Sequence, residues 1–409
     1  MPTVAVVGTY LPCWGTERAR AAGPDEDAVT LAVSAGSAAL RAVPVEDVRR
    51  VVFLTRDLPL IEGGNGAALL AGLGLALDVP VVEQIGGPPA VLDALTEAAP
   101  GTLVVAADLE PAGAAAAFVG TGGADLALAG RVVRSLPLRA RGRDGVVHDY
   151  QDPRLLRERG VGVAVESLNL SAKPDGVAGL PAKQAAALCA GRPPVLPTTG
   201  ASSALFAVAA LAQAGPQGLI LAVEEGSATA VTLAGSPAVH RDEPEARPVP
   251  PTTYTSGPDI SISLPAYERA FEPKLRWEAG ACSACGTLAF PPRRRCLGCG
   301  SEAGWEPAAL PRTAEVYSVV TVHVPVPGLP TPYSLAIVEL DDVGVRALVK
   351  VTGAPAGTVA IGDRGRLVLR RVAVRSGVPD YGYGFLPDSP EPGAADAQEK
   401  SAQEKETAR

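Results

Sequence analysis

Four cysteines, Cys282, Cys285, Cys296 and Cys299, form a cluster whose residue types and spacing dictate a specific chemistry. They read CSACG and CLGCG, two Cys-x-x-Cys-Gly knuckles with ten residues between the pairs. Each knuckle turns its thiolates toward one point, and the glycine that follows, Gly286 or Gly300, permits the tight bend. Four sulfurs close a tetrahedron around zinc at about 2.3 Å. With no position left for water or substrate, such a site is structural. Iron in a rubredoxin-like arrangement uses the same sulfur set. Disulfide pairing is the third reading, and it needs an oxidising compartment.

Other reactive side chains are scattered. The chain has three histidines: His148 in GVVHDYQDP reads as a surface or loop residue, with a substrate contact as the alternative, and His240 and His323 have no candidate nucleophile near them in sequence. Cys13 follows the first expected strand without an activating base, and Cys189 sits in KQAAALCAG as apolar filling. Gly120, Gly122 and Gly123 mimic part of a dinucleotide loop, but Asp125 takes the last glycine position and a strand is expected next, which argues against nucleotide binding. Arg139, Arg141 and Arg143, with Arg154, Arg157 and Arg159, make a basic island, and Arg293, Arg294 and Arg295 a second. Each reads as solvated surface, with a phosphate contact or docking of an acidic partner as the functional alternative.

Bulk properties bound the classes. With 409 residues, 47% hydrophobic and 20% charged, the chain is long enough for two or three folded domains. A net charge of −8 argues against nucleic acid, where a basic footprint supplies most of the affinity. No run approaches the roughly 18 apolar residues of a membrane span. The opening MPTVAVVGTYLP has no basic leader and predicts a first strand, so cytoplasm is the expected location.

Residues 1–235 alternate apolar strands with alanine-rich helices. Expected strands are Thr3–Val7, Val51–Thr55, Val79–Glu83, Thr102–Ala106, Asp125–Ala129, Gly162–Val165 and Gly218–Val223. Expected helices are Asp27–Ala42, Gly66–Leu73, Pro88–Ala98 and Ser203–Gln213. The pattern predicts an α/β layered fold with a sheet buried on both faces. Residues 236–265 are proline-rich and aperiodic and predict a linker. Residues 266–310 hold a leading helix over Ala266–Arg276 and the ribbon. In 311–387, Ala314–Val324, Tyr333–Leu340, Val345–Lys350 and Arg366–Val374 alternate as strands, with a DDVG hairpin, and predict a small OB-type barrel. Residues 388–409 are charged, without large apolar side chains, and predict disorder.

The stretch from Ala266 to Pro387 resembles the zinc-ribbon/OB-fold family associated with acyl-CoA enzymes. YERAFEPKLRW, the two knuckles with GTLAFPPR, then TAEVYSVVTVH, PYSLAIVELDD and IGDRGRLV carry the likeness. In that family the pair accompanies a thiolase-superfamily protein and is thought to dock it or assist passage of an acyl-CoA. The first half looks like a shortened thiolase-superfamily fold of the 3-hydroxy-3-methylglutaryl-CoA synthase and ketoacyl synthase III type. VGTYLP, LVVAADLEPAG with GTGGADLALAG, and TTGASSALFAVAALAQAGPQGLILAVEEGSATAV carry that resemblance in order.

Condensing enzymes of this superfamily place a cysteine at a strand-to-helix corner, where the helix N-terminus favours the thiolate. Here the corner reads VVEQIGGPPAVLDAL, with Gln84 in the nucleophile's place and no Ser, Thr or Cys between Val79 and Leu95. The family's histidine belongs around Glu166–Asn169, and its asparagine just before GASS, where Thr198 and Thr199 stand. The resemblance therefore implies a degenerate copy. It would pair with a thiolase-superfamily subunit or with itself and handle an acyl-CoA or acyl carrier protein. An active acyltransferase, synthase or aldolase with an atypical site is the second expectation. Nucleic-acid binding through the ribbon and barrel is the third, and 4% aromatic residues offer it few stacking platforms.

Overall fold

The computed structural model describes residues 1–134, 139–141, 146–149, 152–215, 217–256, 271–325, 329–375 and 377–388. The chain divides into two units. One comprises Met1–Pro251 with Leu369–Gly382, the other Thr252–Val368 with the chain from Tyr383 on.

The first unit opens with β1 (Thr3–Tyr10), the small hairpin β2 (Trp14–Thr16) and β3 (Ala19–Ala21), and α1 (Ala28–Ala39). Then come β4 (Arg50–Thr55), α2 (Gly66–Leu73), β5 (Val81–Ile85), α3 (Pro88–Glu97), β6 (Thr102–Leu109), β7 (Ala112–Val119) and β8 (Ala124–Val133). A hairpin of β9 (Arg139–Arg141) and β10 (Val147–Asp149) precedes α4 (Pro153–Arg159), α5 (Val161–Leu168), β11 (Gly176–Ala178) and α6 (Ala182–Leu188). The last elements before Pro251 are α7 (Ser203–Ala214), β12 (Gln217–Glu224), β13 (Ser227–Gly235) and β14 (Ala238–Asp242).

Ten strands form one sheet in the order β11-β12-β13-β8-β1-β7-β6-β4-β5, with β14 parallel to β1. The two halves repeat one pattern. β4 runs parallel to β6, β6 antiparallel to β7, and β7 antiparallel to β1. Likewise β11 runs parallel to β12, β12 antiparallel to β13, and β13 antiparallel to β8. The first half carries an extra strand, β5, beside β4. Among the described residues no strand does the same for β11, so the second half is the shorter copy.

Helices α1 and α2 cover the outer side of the first half, and α5 and α6 that of the second, while α3 and α7 touch strands of both. These two central helices pack Val91, Leu92, Leu95, Leu205, Val208 and Leu211 into the main core. Their alanines let helix and sheet approach closely, and β7 (AGAAAAFV) is buried along its whole length for that reason. Asp27 caps α1 by accepting from the Thr30 amide at 3.0 Å, and the Thr30 hydroxyl oxygen accepts from the Asp27 amide at 2.8 Å to complete a capping box.

Several sequence expectations change. Gly162–Val165, expected as a strand, lies in helix α5: Val161, Ala164, Val165 and Leu168 recur at helical spacing and pack on the second half-sheet. Within 236–265, expected as linker, Ala238–Asp242 is a strand pairing β1, and His240 stands opposite Gly8. Residues 243–256 are irregular apart from single bridges, and 257–265 lie outside the described residues. The strands β7, β11 and β13 had no counterpart among the expectations. Alanine and glycine are weak strand signals, and only burial on both faces selects them here. The helix over Asp27–Ala42 ends at Ala39, followed by a 3-10 turn over Leu40–Ala42.

In the second unit, residues 271–276 are helical and 266–270 lie outside the description. β15 (Glu278–Cys282) pairs with β16 (Leu288–Ala289) and β17 (Trp305–Ala309) to form the ribbon. β18 (Thr313–Val322), β19 (Tyr333–Leu340), β20 (Arg346–Val351), β21 (Arg364–Arg375) and β22 (Val378–Pro387) close a barrel in the order β18-β19-β20-β22-β21. β22 is the strand the alternation did not reveal, and His323, expected within a strand, lies just past the end of β18. The expected disordered tail falls outside the description beyond residue 388. No helix among the described residues is long and apolar enough to cross a membrane.

Candidate metal centre and the corner of the central helix

The ribbon brings the four cysteines together as their spacing predicts. Their sulfurs all lie within 4.8 Å of one another, with Cys282–Cys299 at 3.8 Å and Cys285–Cys296 at 3.6 Å. A tetrahedral site with Zn–S near 2.3 Å has S···S edges of about 3.8 Å, far longer than a disulfide. The Gly286 and Gly300 amides donate to the Cys282 and Cys296 carbonyls, and both glycines adopt the left-handed backbone (φ 74° and 73°) that closes each knuckle. Hydrogen bonds from Thr287, the largest cause, pull the Cys285 thiol down to about 6. The Ser301 amide favours the Cys299 thiolate, yet the neighbouring sulfurs push that thiol up to about 11. Four thiolates so close thus need a cation, and the donor set fits a structural tetrahedral metal.

In the first unit, β5 delivers the corner to α3. Gln84 is an exposed strand residue, and the turn itself is Gly86–Gly87, with Gly87 as N-cap and Pro88 as first helical residue. Pro at this position forfeits no intrahelical bond. The space before the helix is taken from the other half-sheet. Glu224, at the end of β12, lies so close that a Cβ on Gly87 would fall 2.2 Å from Glu224 Oε1. That same oxygen accepts from Arg56 Nε at 2.6 Å, an ion pair about one-third exposed. Partly desolvated charge-assisted pairing of this kind is short and directional. Sequence reasoning missed both residues, because 168 positions separate them and no local pattern pairs them.

At the start of α7, Asp108 from β6 accepts from the Ser202 amide (2.9 Å) and the Ser202 hydroxyl (2.5 Å). Thr198 joins through the Ser202 hydroxyl at 2.8 Å. All three are buried, and burial raises the Asp108 carboxyl to about 6 despite these donors. The cluster anchors a helix and offers no exposed nucleophile.

The remaining candidates do not converge. Burial pushes the Cys13 thiol up to about 11 and raises that of Cys189, which lies in the core under α6. His148 and His323 are exposed, and His240 Nε2 is enclosed without a hydrogen-bond partner. Glu166–Asn169 ends α5 on an outer layer. Arg139 and Arg141 lie on β9, and Arg154, Arg157 and Arg159 on α4, with Arg154 and Arg159 exposed. Arg143 is outside the described residues, and Arg293, Arg294 and Arg295 are exposed between the knuckles.

Two domain profiles match the second unit: the ChsH2 rubredoxin-like zinc ribbon domain over residues 272–306 and the ChsH2 C-terminal OB-fold domain over 308–370. A DUF35 domain-containing scaffold protein of Methanocaldococcus jannaschii is 34% identical over 110 residues, 26% of this chain and 77% of that protein. The chain belongs to the DUF35 family. Another relative is the benzoylsuccinyl-CoA thiolase subunit BbsA of Thauera aromatica. It is 33% identical over 129 residues, 31% of this DUF35 chain and 84% of that subunit. The HMG synthase of the curacin pathway aligns over 57% of this chain and 80% of its own, at 13% identity and a TM-score of 0.44. The 3-oxoacyl-[acyl-carrier-protein] synthase III of Aquifex aeolicus aligns over 57% of this chain and 100% of its own, at 15% identity and a TM-score of 0.41. The DUF35 ribbon and barrel thus follow a unit built on a ten-stranded sheet of two repeated halves.

Proposed function

We propose that this chain is a non-catalytic partner of a thiolase-superfamily enzyme, presenting an acyl thioester for carbon–carbon bond formation or cleavage by that partner. The corner at Gly86–Pro88 carries the reading. A helix N-terminus activates a thiolate by favouring its negative charge. Here the anion against that end is Glu224, already neutralised by Arg56, and the residues from Gln84 to Pro89 supply an amide, apolar side chains and glycines. No acyl-enzyme forms on such groups. Cys13 and Cys189, the thiols outside the ribbon, are both held toward their protonated forms. The relatives include a DUF35 domain-containing scaffold protein and a thiolase subunit, which supports a partner role. Cys282, Cys285, Cys296 and Cys299 hold a structural zinc in this reading, with no substrate contact.

Incubation of the purified protein with radiolabelled acetyl-CoA tests it. The expected result is no covalent adduct and no acyl transfer by the chain alone. Single-chain turnover, or an adduct mapped to Cys13 or Cys189, overturns the reading.

A further inference from the structure

The outer face of the barrel carries a patch that neither the metal centre nor the corner uses. Strand register fixes its layout, because alternate side chains point to one face. Val320 stands opposite Leu335, and Leu335 opposite Lys350. In the next row Ile337 faces Leu348, with Tyr317 beside Ile337 where β18 bulges. A third row sets Glu315 against Glu339 and Glu339 against Arg346. The intervening Ala336, Val338, Ala347 and Val349 fill the barrel interior. Leu348 is 68% exposed, Val320 57%, Tyr317 50% and Ile337 38%. Adjacent large apolar side chains on three strands do nothing for the barrel's core, and a clustered exposed patch of this kind marks an interaction site.

Its charged border is negative. A cavity of about 260 Å³ adjoins Tyr317 and is lined by Glu315, Glu339, Asp341, Asp342 and Arg364. Both nearby guanidiniums are spent within the border. Arg346 bonds Glu339 at 2.7 Å and lies 3.5 Å over the Tyr317 ring, while Arg364 bonds Asp341 at 2.7 Å. Four carboxylates against these two arginines, with Lys350 over the Tyr333 ring at the far apolar row, leave one net negative charge, and it lies at the border. Asp342, held at the hairpin turn with φ 62°, is at the free end of that border.

We propose that this face docks a segment of a partner protein that sets a lysine or arginine beside large apolar side chains. The proposal rests on the partner reading above and names the surface through which pairing occurs. The apolar rows supply desolvated contact, and the acidic border selects the sign of the neighbouring charge. Nucleic acid and acidic segments are repelled by the same border.

The full-length protein is titrated against fluorescent twelve-residue peptides of three compositions: Lys/Leu, Glu/Leu and Lys/Ser. The Lys/Leu peptide should bind, with the other two at least tenfold weaker. Leu348→Glu should weaken binding at least tenfold, and Asp342→Asn severalfold, with melting temperatures unchanged. Equal binding of the Glu/Leu peptide, full binding by Leu348→Glu, or binding by no peptide overturns the proposal. Leu297 is the exposed apolar residue of the second knuckle, so self-association in sedimentation that both Leu348→Glu and Leu297→Glu abolish would assign the face to a second copy's ribbon and also overturn it. Neither variant touches the corner at Gly87. Single-chain acyl transfer with normal peptide binding would therefore remove the partner reading while leaving the docking face in place.

Discussion

At Asp108 a carboxyl shut away from water holds the start of α7. Burial shifts its pKa up to about 6, so the folded state binds this proton more tightly than the unfolded chain does. The contribution to stability is full below about pH 4 and is lost as pH rises through about 6, at most roughly 3 kcal/mol. Asp108→Asn should flatten this part of a urea-unfolding profile between pH 4 and 6; an unchanged slope would refute the assignment. Gly87 makes a second residue-scale test. Gly87→Ala drives the Glu224 carboxylate off the helix mouth, at a cost of about 1–3 kcal/mol for overpacking. The cost should largely vanish in a Glu224→Ala background, because the two changes share one contact. Gln84, the residue singled out from sequence, proves to be exposed strand, so Gln84→Cys alone should yield no acetylated protein with acetyl-CoA. The cysteine spacing was fully legible because both knuckles are local. The Arg56–Glu224 pair was not, since it exists only where the residue after β4 meets the end of β12, two strands that are not neighbours in the sheet.

Among elements, the far halves of β21 and β22 show how a strand acquires a role its own pattern does not announce. Arg370 is 3% exposed and bonds Glu26 at 3.1 Å, where the Tyr10 hydroxyl also donates at 2.6 Å. Tyr381 donates to Asp27, the cap of α1, at 2.9 Å. Removing one partner of a buried pair strands the other, so Arg370→Met should cost about 3–5 kcal/mol. Arg346→Ala, in an exposed pair, should cost less than about 1 kcal/mol. Denaturant midpoints compare the two, and similar losses would contradict the burial argument. In sequence Arg370 reads as one more charge on a barrel strand. Helix α5 misleads in the opposite sense: its valines favour a strand in isolation, and packing against β8 and β13 selects the helix.

For the whole molecule, the metal and the packed cores are separate sources of order. Trp277 and Trp305 flank the ribbon strands, so two of the three tryptophans report on it. A strong chelator should release one zinc per chain and shift tryptophan emission, because metal binding and folding are one equilibrium in such a small site. The far-UV signal of the ten-stranded sheet should persist. Cys296→Ser should reproduce the chelated state, and retention of a full zinc equivalent would count against four-sulfur ligation.

What the sequence determined by itself was whatever short-range pattern encodes: the thiolate knuckles, the barrel strands with strict alternation, the long alanine-rich helices and the absence of a nucleophile beside Gly86. Tertiary structure alone decided the rest. It turned alanine-rich β7 into a central strand, drew Ala238–Asp242 from an apparent linker onto β1, and set Glu224 in the helix mouth. Each of these depends on surfaces meeting across more than a hundred residues, where burial and pairing outweigh the local preferences of the segment.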